Sequence, residues 1–184
     1  MRVVGGKSGG VPLTVPKRGT RPTSDKVRGA LFSMINEFIE GSNCLDLFAG
    51  SGALGLEALS RGAESCVFVD MGKESCLAIS SNLKKTRLEK GFVKRQVAKS
   101  YIQNCNNSFD VIFADPPYEF TDNKSNFEEL FFSNSFYDIL NIGGLFVLET
   151  RSSFDISESS EKLKLNDVRK YGDTKLNLFI RKSI

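Results

Sequence analysis

Asp115, Pro116, Pro117 and Tyr118 form a group whose residue types can do chemistry. They follow an apolar run, "DVIFA", that reads as a strand. Two consecutive prolines fix two φ angles and offer no N–H, and a residue that precedes a proline is held out of the helical region. The turn is therefore stiff, presenting the Asp115 carboxylate and the Pro116 carbonyl as acceptors beside the flat face of Tyr118. An exocyclic amine on a nucleobase is a poor nucleophile, because its lone pair is delocalised into the ring. Two acceptors on its hydrogens would aim that lone pair outward, and the carboxylate could take the released proton. Tyr118 would stack on a base that is unpaired or flipped out.

A second group lies upstream. In "DLFAGSGALGLE", Gly50, Gly52 and Gly55 make G-x-G-x-x-G directly after one apolar strand and at the start of a helix, where backbone must turn tightly and let a ligand approach. Asp46, just before the turn, places negative charge where a dinucleotide pyrophosphate would sit. A sulfonium nucleoside with an amino-acid tail has no phosphate and two cationic centres, so S-adenosylmethionine fits better than NAD. Asp70 ends the next strand, where its carboxylate can accept both ribose hydroxyls of either cofactor.

These groups require a scaffold that brings several strand ends to one rim. The pattern alternates: strands at "CLDLF", "SCVFVD", "GFVKR", "FDVIFAD" and "GLFVLET", with helices at 53–61, 73–88, 99–105 and within 125–140. Such alternation predicts a mostly parallel α/β sheet with ligands at the carboxyl ends of its strands. Ahead of it, "TSDKVRGALFSMINEFI" carries Val27, Leu31, Met34, Ile35 and Phe38 at helical spacing, capped by Thr23 or Ser24 and weakened by Gly29. "RVVGG" and "VPLTV" predict a short N-terminal β-hairpin, and "KLKLNDVRKYGDTKLNLFIRK" predicts an antiparallel hairpin at the sheet's edge. "ELFFSNSFYDIL" reads as a buried helix. Glu149 ends the fifth strand, where a solvated acid is at least as good a reading as a rim residue. The 184 residues make one domain, with 1–20 a basic hairpin extension.

Composition excludes several chemistries. There is no histidine, which removes Ser-His-Asp and Cys-His catalysis and the common zinc sites. Cys44, Cys66, Cys76 and Cys105 match no C-x-x-C pattern and read as small core residues in a reducing compartment. No metal is expected. With no membrane-length apolar run and no signal-peptide core at "MRVVGGKSGG", a cytoplasmic protein is expected. Basic charge is concentrated: residues 1–28 hold seven bases against Asp25, and 84–99 hold seven against Glu89. Both clusters suit a phosphate backbone, although helix faces also collect lysines.

Four segments, "RPTSDKVRGALFSMI" (21–35), "CLDLFAGSGALGLEALSRGA" (44–63), "FVD" (68–70) and "DVIFADPPY" (110–118), together resemble the bacterial RsmD-type 16S rRNA guanine-N2 methyltransferases. The resemblance covers nearly the whole chain. DPPY alone is shared with enzymes that methylate adenine or cytosine amines, so the "RPT…VR" segment and the extended glycine motif are the more specific signal. The resemblance implies a Rossmann-like seven-stranded methyltransferase sheet, S-adenosylmethionine as cofactor, and methylation of a guanine amine in 16S rRNA, bare or within a small ribosomal subunit. By it, Asp46, Phe48, Gly50, Ser51, Gly52, Asp70, Ala98 and Asp115 would bind the cofactor, and Asp115, Pro116, Pro117 and Tyr118 would form the catalytic site. Arg21 and Thr23 would stand between cofactor and RNA. Arg2, Lys7, Lys17, Arg18 and Arg21 are the expected RNA contacts, and a monomer is the default. The sequence departs from the pattern at Gly29 and at Val97, where an acidic or amide residue often meets the adenine. Two other readings remain open: a DNA or RNA adenine-N6 or cytosine-N4 methyltransferase using the same DPPY, and a non-catalytic RNA- or NAD-binding domain.

Overall fold

Strands β1 (Asn43–Leu47), β2 (Ser65–Asp70), β3 (Gly91–Arg95), β4 (Phe109–Ala114) and β5 (Leu140–Arg151) are joined in parallel in a computed structural model of the chain, which describes residues 1–16, 24–121, 123–154, 156 and 160–183. The hairpin β6 (Leu163–Tyr171) and β7 (Thr174–Arg181) adds antiparallel through β7, giving the order β3-β2-β1-β4-β5-β7-β6. Its turn contains Gly172 at φ 60°, a conformation glycine adopts without strain. The winding reverses between β1 and β4. The segments after these two strands therefore open onto the same rim, where a crevice forms.

The central strands are mostly apolar because both faces are covered, with Asp46 of β1 a buried exception. Along β4, Val111 and Phe113 enter one core with Leu31, Phe32, Leu56, Phe68 and Ile79, while Ile112 and Ala114 enter the other. The second core is held by a run of phenylalanines, with ring centroids 5.5 Å apart at Phe131–Phe136, 4.8 Å at Phe136–Phe146 and 5.6 Å at Phe146–Phe179. Helices α3 (Ala53–Ser60) and α4 (Lys73–Thr86) pack on β2 and its neighbours, with α5 (Ala98–Asn104) also against β2. Among the described residues no helix is long and apolar enough to cross a membrane.

Three expectations need correction. The N-terminal hairpin is only a single bridge, Arg2 to Pro12, closed by Val3 N–H to Val11 O at 3.0 Å around a 3-10 turn at Gly6–Ser8. Pro12 has no N–H for a ladder, and the N–H groups of Val4 and Gly5 go to the Glu57 carboxylate at 2.7 and 2.8 Å. The first helix runs unbroken through Gly29 as α1 (Asp25–Met34), then turns at Ile35 into α2 (Asn36–Ile39), so that Ile35 and Ile39 both enter the core. Ser24 caps α1, accepting from Val27 N at 3.2 Å, and Thr23 lies outside the described residues. The helix within 125–140 is two, α7 (Lys124–Phe131) and α8 (Asn134–Ile139), preceded by the short α6 (Tyr118–Thr121). Ser133 makes the break by accepting from Phe136 N at 3.2 Å as the cap of α8.

Candidate active site

The turn after β1 is left-handed at Phe48 (φ 58°), Gly50 (φ 55°) and Gly52 (φ 76°). Glycine accepts this freely, whereas Phe48 does so at a cost, and its ring turns out beside Phe120 with centroids 5.6 Å apart. Gly55 has a different duty. A Cβ there would lie 2.4 Å from the Phe68 ring and 2.6 Å from Cys66 Sγ, so only glycine lets α3 settle this closely on β2. Asp46 is buried beneath the turn and accepts from Gly55 N at 2.9 Å. Burial pushes its carboxyl up to about 8, against the lowering effect of that bond, with the Asp70 charge adding to the rise.

Asp70 is the junction between turn and strand. Its Oδ2 accepts from Gly50 N at 2.8 Å and its Oδ1 from Gly72 N at 2.7 Å. Each oxygen keeps a second lone pair for a ligand hydroxyl. The carboxylate faces a cavity of about 510 Å³ lined also by Phe48, Met71, Val97, Ala98, Asp115, Pro116, Pro117, Tyr118 and Glu149. Of the sequence-predicted cofactor set, Phe48, Asp70, Ala98 and Asp115 thus line one cavity. Asp46, Gly50, Ser51 and Gly52 are buried in the turn behind it. There the Ser51 carbonyl accepts from Asn82 Nδ2 at 2.9 Å.

Burial, then the nearby charges of Glu149 and Asp46, raises the Asp115 carboxyl well above the usual carboxylate range. Tyr118 opens α6, and the Arg151 guanidinium lies over its ring at 4.3 Å, fixing the plane of the phenol from one side. Val97, at the N-terminus of α5, is 54% exposed on the cavity mouth, beside Gln96, whose N–H donates to Asp70 O at 3.0 Å. The basic candidates are more scattered. Lys7 is exposed on the 3-10 turn, and Arg2 Nε stands 3.7 Å from Asp25 while its side chain is 67% exposed. Lys17, Arg18 and Arg21 fall outside the described residues.

Sequence reasoning underweighted Glu149, which is only 5% exposed yet lines the cavity. It missed Glu57, fully buried in α3, which takes Arg61 Nε at 2.8 Å and stands 3.6 Å from Arg28 Nε as well as binding the N-terminal arm. The i,i+4 spacing of Glu57 and Arg61 was a visible signal. For Glu149 the unbroken apolar run "LFVL" before it was the signal of a strand covered on both faces, but its depth depended on which strand lay beside it.

A family model described as Conserved hypothetical protein 95 matches residues 1–180. The Bacillus subtilis (strain 168) protein YlbH, provisionally named an rRNA methyltransferase, is 36% identical over 97% of this chain and 98% of its own length. Ribosomal RNA small subunit methyltransferase D of Escherichia coli K12 is 38% identical over a segment covering 64% of this chain and 60% of that protein. Among solved structures, yhhF from Escherichia coli superposes with a TM-score of 0.86 at 30% identity, covering 99% of this chain and 98% of that one. The family match spans nearly the whole chain, and the chain belongs to the Conserved hypothetical protein 95 family, the family of the RsmD-type rRNA methyltransferases.

Proposed function

We propose that this chain transfers a methyl group from S-adenosylmethionine to the exocyclic N2 amine of a guanine in 16S rRNA. The observation that carries the reading is the single cavity in which Asp70, at the end of β2, and the Asp115–Tyr118 turn, after β4, face the same space. Its chemistry suits a sulfonium nucleoside. Asp70, Asp115 and Glu149 supply negative character, Asp70 keeps acceptors for ribose hydroxyls, and Phe48, Val69, Met71 and Val97 offer an apolar berth for adenine. The name of the Escherichia coli relative gives small-subunit rRNA as its substrate, and the sequence resemblance supplies the guanine amine.

S-adenosylmethionine, when bound here, would supply an electrophilic methyl on a positively charged sulfur, with S-adenosylhomocysteine as the by-product. The Asp115 carboxylate and the Pro116 carbonyl accept the two amine hydrogens, so the nitrogen lone pair points at the methyl carbon. As the N–C bond forms and the C–S bond breaks, Asp115 takes one proton from the nitrogen. A carboxyl with raised proton affinity suits that task better than an ordinary one. Tyr118, backed by Arg151, stacks on the extruded base. Pro116 and Pro117 keep the acceptors from drifting.

The test is transfer of labelled methyl to 16S rRNA, offered bare and as assembled small subunits, followed by identification of the nucleoside. N2-methylguanosine is expected. Asp115→Ala should cut transfer by about 100-fold or more, the range of a lost general base, while S-adenosylhomocysteine binding by calorimetry survives. Turnover undiminished in that variant, or methyl found on adenine or cytosine, contradicts the reading.

A further inference from the structure

β4 and β5 are parallel with Ala114 opposite Leu148, so the next positions, Asp115 just past the end of β4 and Glu149 still within β5, come side by side. Both line the cavity next to Pro116 and Tyr118. A second carboxylate thus stands beside the one that handles the amine.

The amine alone does not identify its base, because guanine, adenine and cytosine all carry an exocyclic NH2 that Asp115 and the Pro116 carbonyl could hold. The ring nitrogen next to that amine does differ. Guanine's C2 amine has N1–H, a donor, on one side and the N3 lone pair on the other, whereas the ring nitrogen beside the amine in adenine (N1) and cytosine (N3) is a bare lone pair, so only guanine offers a donor there. A carboxylate placed one position along from the amine acceptor pairs with the first and repels the others, unless it keeps a proton of its own. We propose that Glu149 accepts the N1–H of the target guanine and so determines base specificity. This rests on the guanine-amine reading. The repulsion between the two carboxyls in the cavity, seen in the raised proton affinity of Asp115, is relieved when both meet N–H donors along one base edge.

The experiment uses an RNA fragment bearing the guanine identified by the transfer assay, and the same fragment with 2-aminopurine there. 2-Aminopurine keeps the C2 amine but replaces N1–H with a lone pair. The wild-type protein should favour guanine in kcat/KM by about 10- to 100-fold, the range of one good base-edge contact. Glu149→Gln, whose amide can donate to the lone pair, should lower that ratio by about tenfold or more through a worse guanine and a better 2-aminopurine rate. Loss of O6 from 2-aminopurine affects both proteins alike and cancels from the comparison. A ratio unmoved by the substitution, or equal use of the two bases by the wild-type protein, overturns the proposal; the second measurement stands even if the variant fails to fold. Absence of wild-type transfer to guanine instead removes the proposed function, and this inference with it.

Discussion

Asp46 shows how a residue can be legible in type while its surroundings are not. Its position before the glycine turn suggested a ligand contact, and in the structure its Oδ2 holds the backbone of Gly55 under that turn. Only packing, with Phe68 and Cys66 pressed against the start of α3, could reveal that. Its folded carboxyl keeps a proton to about pH 8, while an unfolded aspartate releases it near pH 4. The stability that goes with protonation is fully present below the unfolded value and is lost as pH climbs towards 8, at up to about 1.4 kcal/mol per unit. Asp46→Asn keeps an oxygen for Gly55 and removes that loss. Urea midpoints between about pH 5 and 8 should therefore show the variant gaining on the wild type as pH rises; a constant gap would mean Asp46 does not titrate in this window. Asp115 and Asp70 were easier to read, because strand-end acids next to Gly- and Pro-rich turns announce themselves locally.

At the level of elements, the parallel strands and the C-terminal hairpin could be read from apolar runs and the Gly172 turn. The N-terminal arm could not, because its N–H groups are claimed by a carboxylate 52 or 53 residues away. Glu57 ties that arm to α3 while sitting between Arg28 and Arg61. Removing one member of such a buried network is costly. Glu57→Ala should lower unfolding free energy by about 3–5 kcal/mol and make the arm the first site cut in limited proteolysis. A fall of less than about 1 kcal/mol, the range of an exposed pair, would show that the arm is held by other contacts, such as Asn82 Oδ1 accepting from Thr14 N at 2.7 Å.

For the molecule as a whole, charge and catalysis are separated. The cavity wall is acidic and apolar, while Lys84, Lys85, Arg87, Lys94 and Arg95 are exposed along α4 and the edge strand β3. Some of the cluster is already paired, as in Lys90 with Glu64. The remaining positive charge predicts RNA affinity that falls steeply with salt, by a log–log slope of about 0.7 to 0.9 per neutralised phosphate. Neutralising Lys84, Arg87 and Lys94 together should flatten that slope in filter-binding titrations without altering which nucleoside is methylated. An unchanged slope would make those side chains bystanders.

The arm also has an implication for the order of assembly. Ser8 bonds to Ser60 and to the carbonyl of Thr86, and Thr14 to Asn82, partners 52, 78 and 68 residues further along the chain. A segment that leaves the ribosome ahead of α1 thus finds Glu57 and Ser60 of α3 first and completes its docking only when α4 has followed it out. Closing such long loops is slow. What is synthesised first is set down late, and until then Val3 and Leu13, buried in the finished core, are apolar surface for a chaperone to hold.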